Sequence, residues 1–157
     1  MHLLAAVPGR IDDGGEAIDL GQTPGDILVL TAADTEIACL AAAQARRLQA
    51  DAGAPTLRLA NLLRLAHPLS VDHYVGRMVR PARLVVVRLL GGRGYWPYGV
   101  DEIEAACGER GIPVAFLPGD DQPDAELARA TTLAAPDAFR LWQYLVHGGV
   151  ENAAHFL

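Results

Sequence analysis

The stretch LVVVRLLGGRGYWPYG, residues 84 to 99, decides the fold of this chain. Its first part, Leu84 to Leu90, is apolar apart from Arg88 and contains three consecutive valines. The run is too short to span a bilayer, and valine favours extended backbone, so we predict a buried central strand of a parallel sheet. In open α/β sheets, ligands bind beyond the carboxyl ends of the strands. The loop after this strand is therefore the first candidate for a binding site.

That loop combines glycines, an arginine and three aromatic residues. Glycine lets the backbone approach a ligand closely or adopt a positive φ, and aromatic rings supply flat, largely apolar walls. We predict that the loop forms a ligand site together with Arg88 and with His67 from the preceding connection. The alternative is a tight turn whose rings cap the core. The candidate residues are His67, Arg88, Gly91, Gly92, Arg93, Gly94, Tyr95, Trp96 and Tyr98.

Strand and helix patterns alternate on both sides of this stretch. Apolar residues recur at helical spacing between the apolar runs, and Pro or Gly ends several of the helices. Ser70 is the predicted N-cap of the helix that precedes Pro81. This alternation predicts an α/β fold with a mostly parallel, doubly wound sheet of four to five strands, of the flavodoxin or Rossmann-like type, and C-terminal helices. The predicted strands are Leu3–Val7, Ile27–Thr31, Thr56–Ala60, Leu84–Leu90 and Ile112–Leu117.

The last part of the chain has a different pattern. We predict an α/β domain over residues 1–133 and a helical extension over residues 134–157. A helix opened by Pro136 should place Phe139, Trp142, Leu145 and Val146 on one face. The sequence stops within a further helical pattern, so we expect the extension to lead into a following domain that this chain lacks.

The distribution of charge is uneven. The 157 residues carry a net charge of −6, and all thirteen basic residues are arginines, which excludes a P-loop or Schiff-base lysine. Outside residues 52–100, six arginines face eighteen acidic residues, a poor balance for binding nucleic acid. Within residues 52–100 the only acid is Asp72, which predicts a local site for a small polyanion, because guanidinium groups bind carboxylates and phosphates in pairs. For Arg77, Arg80 and Arg83 we favour the alternative, a solvated helix face. The arginines of this region are Arg58, Arg64, Arg77, Arg80, Arg83, Arg88 and Arg93.

The sequence gives little indication of a membrane-spanning, secreted or zinc-binding protein. No apolar run is long enough for a membrane span, and the first residues lack a signal-peptide pattern, so we expect a cytoplasmic chain without membrane contact. The two cysteines fall on apolar helix faces and should be free thiols. His67 and His73 are six residues apart, which is not the spacing of a zinc helix. The residues alone therefore predict a site for a flat, anionic ligand, without catalytic or metal-binding residues.

Five blocks of the sequence resemble the extreme N-terminal region of the large subunit of aerobic cobaltochelatase. They cover nearly the whole chain in one order, which makes the resemblance more specific than a short motif. The blocks are DGGEAIDLGQTPGDILVLTAADTEIACLAAA (13–43), LRLANLLRLAHPLSVDHYV (57–75), RLVVVRLLGGRGYWPYG (83–99), FLPGDD (116–121) and LWQYLVHGGVENAAHFL (141–157).

The resemblance implies ATP-dependent insertion of cobalt(II) into hydrogenobyrinic acid a,c-diamide during cobalamin synthesis. In that family, which is related to the porphyrin-binding subunit of magnesium chelatase, separate AAA+ subunits hydrolyse the ATP. The His and Glu residues expected to carry out metal insertion lie in later parts of the large subunit. No catalytic residue can therefore be assigned here, and we expect this region by itself to bind neither cobalt nor ATP and to be inactive.

Two functions follow as hypotheses. In the first, the loop and the His67–Pro68 connection help to form the tetrapyrrole cavity, with Arg88 and Arg93 binding carboxylates and the rings facing the macrocycle. In the second, the same surface docks on the remainder of the large subunit or on the AAA+ partner subunits. A third alternative, a free-standing flavodoxin-like nucleotide-binding protein, lacks a phosphate loop.

Overall fold

The computed structural model describes residues 16–157 of the chain. The predicted strand Leu3–Val7 lies outside these residues. Strands and helices alternate along the described part, and the strand bounds agree with the sequence prediction to within two residues. The elements are β1 (Ile27–Thr31), α1 (Asp34–Ala50), β2 (Leu57–Asn61), α2 (Pro68–Tyr74, continued by a π-helical turn over Val75–Val79), β3 (Leu84–Leu89), α3 (Pro97–Arg110), β4 (Val114–Pro118), α4 (Ala125–Ala130), α5 (Ala135–His147) and α6 (Val150–Phe156).

The four strands form one parallel sheet in the order β2-β1-β3-β4. The chain moves from β1 outward to β2, returns past β1 to β3 and continues to β4. This arrangement confirms the predicted doubly wound α/β class. It also creates a topological switch point between β1 and β3, where ligands bind in many open α/β sheets.

Two apolar layers cover the sheet. One layer contains residues of α2, α3 and α4 packed on Leu28, Val85 and Phe116. The other contains residues of α1, α5 and α6 packed on Val29 and Val86. Alternate side chains of β3 thus enter opposite layers, as the pleat requires, so β3 is the buried central strand that the sequence predicts.

Side chains cap both edges of the sheet. At β4, the backbone N–H groups of Val114 and Phe116 donate to the hydroxyls of Thr132 and Thr131 at 3.0 and 2.9 Å. At β2, the Gln22 side chain donates to the carbonyl oxygen of Leu59 at 2.8 Å. These bonds occupy backbone groups that an added strand would need.

The predicted start of α2 was wrong. We expected Ser70 to cap α2, but the helix starts earlier and His67 is its N-cap residue, because the His67 ring accepts a hydrogen bond from the Leu69 N–H. The buried Ser70 hydroxyl instead accepts from the Ile18 N–H at 2.7 Å.

On α5, Trp142 is buried but Phe139 is 57% exposed. The two rings meet edge to face, with only Trp142 turned into the core.

Helices α5 and α6 pack on the sheet. Trp142 and Leu145 of α5 and Phe156 of α6 are buried in the same apolar layer as Val86 of β3. The Trp142 indole also donates to the backbone oxygen of Asp120 at 3.0 Å, which fixes α5 to the turn after β4. The division at residue 133 stays a prediction. Among residues 16–157, no helix is long and apolar enough to cross a membrane.

Candidate functional site

An ion pair fills the switch point of the sheet. Arg88 of β3 pairs with Glu36 in the first turn of α1, and both side chains are largely buried. The Glu36 carboxylate also accepts a hydrogen bond from the Thr31 hydroxyl at 2.8 Å. The cavity left beside these groups measures about 70 Å³, far below the several hundred Å³ of an ordinary small-molecule pocket. Arg88 therefore forms its ion pair within the fold and is not available to bind a ligand.

The glycine-rich loop lies at the carboxyl end of β3, as predicted, but two of its three rings are in the core. Tyr95 is 1% exposed and Trp96 is 3% exposed. The Trp96 indole donates to the backbone oxygen of Leu65 at 3.0 Å. This bond joins the loop to the segment that precedes His67. In this structure both rings fill the layer under α2 and α3, which is the arrangement of the alternative that the sequence left open.

The glycines of this region allow close packing within the chain. At Gly99, a Cβ atom would lie 2.1 Å from the Trp96 ring. At Gly92, which has a φ of +69°, it would lie 2.8 Å from an oxygen of Asp124. These close approaches are made by the protein's own side chains. Gly91 and Gly94 are exposed at the surface of the loop.

Arg93 is held by two carboxylates of α3. Its guanidinium pairs with Glu104 at 3.0 Å and with Asp101. Burial alone would lower the pKa of Arg93, but the hydrogen bonds to Glu104 and Asp101 raise it. An anionic ligand would have to compete with both acids for this side chain.

Tyr98, in the first turn of α3, is the one of the three candidate rings that reaches the surface. It is 39% exposed, and its hydroxyl bonds to the Asp72 carboxylate on α2. That hydrogen bond, with a smaller effect of desolvation, raises the pKa of Tyr98 to about 12. His67 is half-buried at the start of α2, where its Nδ1 accepts from the Leu69 N–H at 3.1 Å.

Other arginines of the basic middle region are also paired within the chain. Arg80 bonds to Glu109 of α3 at 3.1 Å, and Arg77 lies 3.8 Å from Asp19. Asp19 is also bonded to the backbone of Gly21 and to His73, and these hydrogen bonds lower its pKa. The local positive charge of the sequence is thus largely balanced by acids brought in from outside residues 52–100.

A larger cavity lies beyond β4, where the sequence gave no candidate. It measures about 370 Å³ and lies between α4 and α5. Its lining is mainly apolar and includes both rings of the Phe139–Trp142 pair. The sequence signal for it is the proline-flanked acidic turn PGDDQPD, residues 118–124, followed by an aromatic helix. The lining residues are Phe116, Leu117, Pro118, Pro123, Asp124, Ala128, Thr131, Leu133, Ala135, Ala138, Phe139 and Trp142.

No group of three or more His, Cys, Asp or Glu residues within 16–157 is arranged to hold a metal ion. Cys39 and Cys107 are free thiols, and burial raises the pKa of Cys107 to about 11.

Comparison with known proteins gives closely related sequences. The aerobic cobaltochelatase subunit CobN of Sinorhizobium sp is 52% identical over 157 residues, which is all of this chain and 12% of that protein. The subunit of the same name from Pseudomonas aeruginosa is 46% identical over 99% of this chain, again 12% of its own length. No family model matches the chain.

A solved structure shares the fold. The catalytic subunit of cobaltochelatase from Mycobacterium tuberculosis superimposes with a TM-score of 0.65 and 30% sequence identity. The match covers 84% of this chain and 10% of that one.

The strand order and the ion pair at the switch point define the class of the protein: a flavodoxin-like α/β domain whose usual ligand crevice is filled by its own side chains. By sequence, the chain is similar over its whole length to the aerobic cobaltochelatase subunit CobN, and it spans 12% of the length of the two relatives described. The family resemblance stated from the sequence is confirmed.

Proposed function

We propose that this chain is the N-terminal domain of the large subunit of an aerobic cobaltochelatase. The whole enzyme would insert cobalt(II) into hydrogenobyrinic acid a,c-diamide, with ATP hydrolysed by AAA+ ATPase partner subunits. Cobalt is then a substrate of the assembly. Identity of 52% and 46% across essentially the whole chain supports this assignment.

Within that enzyme, we propose that the domain acts as a docking module. The observation that carries this role is that the groups of the predicted ligand site are engaged inside the domain. Arg88 is paired with Glu36, Arg93 with Asp101 and Glu104, and the Trp96 ring is buried. Residues that catalyse metal insertion would then lie on the rest of the large subunit.

A substrate carboxylate could bind Arg93 only by displacing the acids that already pair with it. A charge-assisted hydrogen bond contributes about 1.5 to 3 kcal/mol. For a substrate carboxylate to bind Arg93, it would have to replace bonds of the same kind to Asp101 and Glu104, so the net gain would be small. The displaced acids would also repel a multiply carboxylated ring. Docking on another protein surface would not require the bonds from Arg93 to Asp101 and Glu104 to break.

The cavity-wall role is the second candidate, and Tyr98 favours it. This ring is exposed beside the loop, and the partly exposed Arg93 lies five residues before it in the sequence. The binding of substrate by His67, Arg88, Gly91, Gly92, Arg93, Gly94, Tyr95, Trp96 and Tyr98 stays a prediction, of which Arg93 and Tyr98 are the testable part.

The two roles can be separated in the full-length large subunit. The variants Arg93→Gln and Tyr98→Ala should leave the Kd for hydrogenobyrinic acid a,c-diamide within about twofold of wild type if the domain docks. A tenfold increase, about 1.4 kcal/mol, would instead place the loop in the cavity. Arg83→Gln serves as the control, because this arginine lies outside the loop. Trp96→Ala is unsuitable, since removal of a buried tryptophan costs about 3 to 5 kcal/mol of stability.

Hydrogen exchange of the same subunit gives an independent result. With substrate added, a docking module should show no new protection in residues 90–99. Protection of those residues by substrate would contradict the docking role. The assignment to cobaltochelatase itself is tested by cobalt insertion with subunits that lack this domain, where we expect loss of activity.

A further inference from the structure

The cavity between α4 and α5 measures about 370 Å³ and has a mainly apolar lining. Its floor is the buried ring of Phe116, and one wall is the Phe139–Trp142 pair, with ring centroids 5.9 Å apart. Phe139 is 57% exposed, an unusual position for a phenylalanine on a surface helix. An apolar group entering this cavity would cover that ring and remove its surface from water.

The rim of the cavity is acidic. The turn that leads to Pro123 contains Asp120 and Asp121, and Asp124 lines the cavity itself. None of these three carboxylates forms an ion pair within the described part of the chain. The arginines of the two flanking helices, Arg129 and Arg140, do not line the cavity. A ligand that fits must therefore be apolar at its centre and positive or neutral at its edges.

This chemistry excludes the substrate and favours a peptide. A multiply carboxylated macrocycle would meet acids on the rim and no arginine in the lining. Pairing of a new strand at the β4 edge is also opposed, because Thr131 and Thr132 already bond to that edge. The remaining binding mode is insertion of side chains from a peptide. One or two apolar side chains would enter the cavity, and cationic side chains would lie beside the aspartates.

We propose that this cavity binds a segment of the remaining large-subunit polypeptide, an apolar or aromatic anchor flanked by arginine or lysine. The proposal rests on the proposed function. The matched region makes up 12% of the length of each CobN relative, so most of such a polypeptide lies outside it and is permanently close to the cavity. Covalent linkage raises the effective concentration of a segment, to about the millimolar range for a short flexible linker, so weak binding in the cavity is sufficient.

Photo-crosslinking in the full-length large subunit tests the proposal directly. The photoreactive residue p-benzoylphenylalanine replaces Phe139, whose shape it resembles. In a control it replaces Leu48, an apolar residue of α1 that is 40% exposed and lies outside the cavity. Mass spectrometry of the crosslinked peptides then identifies what contacts each position.

We expect position 139 to crosslink to a peptide of the same polypeptide beyond the matched region, containing an apolar residue next to arginine or lysine. Adding Ala128→Trp, which fills the mouth of the cavity, should lower the yield at least fivefold. Ala125→Trp on the same helix should not, because Ala125 is exposed and does not line the cavity. Crosslinks to an ATPase subunit or to a second copy, or a yield no higher than at position 48, would overturn the proposal. Cobalt insertion, measured separately, decides only the proposed function.

Discussion

The Arg88 guanidinium of β3 pairs with Glu36 of α1 and also bonds to the backbone of α5 at Leu145. It bonds to the carboxylate of Glu36 on α1 and to the backbone oxygens of Pro118 and Leu145, at 3.0 and 3.3 Å. One side chain thus connects four elements at the place where an open α/β sheet would otherwise hold a ligand. The side chains at this switch point therefore stabilise the fold, in the place where other open α/β sheets bind a ligand.

This ion pair should be strongly coupled. Replacing Arg88 by Met leaves the Glu36 charge largely buried without its partner, and breaking a buried pair in this way costs about 3 to 5 kcal/mol. The double variant Arg88→Met with Glu36→Gln should cost less than the sum of the single changes by about 0.5 to 3 kcal/mol. Urea unfolding of the four proteins measures this difference. Strictly additive costs would show that the two groups do not interact.

Two glycines of α3 should respond in opposite directions to alanine. In Gly99→Ala the new Cβ would lie 2.1 Å from the Trp96 ring, and overpacking of this kind costs about 1 to 3 kcal/mol. Gly108 has no atom within 4 Å of the corresponding position. Gly108→Ala should therefore stabilise the protein by about 0.5 to 1 kcal/mol through helix propensity. Thermal unfolding checks both, and a stable Gly99→Ala variant would contradict the packing of Trp96.

The stability of the domain should fall at high pH, partly through Tyr98. Its pKa rises from 10.0 to about 12 on folding, mainly because its hydroxyl bonds to Asp72. The folded protein therefore holds this proton more tightly than the unfolded chain. The resulting stability is complete below pH 10 and is lost as the pH rises through about 12. Unfolding between pH 9 and 12 should show a shallower decline for Tyr98→Phe than for wild type, and equal slopes would refute this.

The two thiols should differ in reactivity. Cys39 is partly exposed on α1, whereas Cys107 is buried in α3 with a pKa raised to about 11. Only the thiolate reacts readily. Ellman's reagent should titrate one thiol in the native protein and both in denaturant. Cys39→Ser should abolish the native reaction, and a fast native reaction in that variant would be inconsistent with the burial of Cys107.

Much of the fold could be predicted from local patterns. The valine run identifies β3, and the helical spacing of Val100, Ile103 and Cys107 identifies α3. Both can be read from the sequence because buried residues recur at the regular spacing of each element. The start of α2 was misplaced by the same reasoning. A histidine ring can cap a helix as Ser70 would, and residue type alone does not show which side chain turns back to the backbone.

The candidate site was harder to predict. The sequence places an aromatic loop after the central strand, and the structure confirms that position. It could not show that Trp96 turns inward, since a ring suits a pocket wall and a core equally well. Nor could it show that Arg93 is paired with Asp101 and Glu104, which follow it in the sequence but reach it only once α3 has formed.

The sequence by itself determined the fold class and the family, because periodicity, turn residues and long matching blocks are properties of residue order. The tertiary structure alone decided which groups are available to a partner. Arg88 is used by Glu36, a residue 52 positions away, and the cavity beside Phe139 forms only where α4 and α5 meet the end of β4. Availability depends on contacts between distant residues, which exist only once the chain has folded.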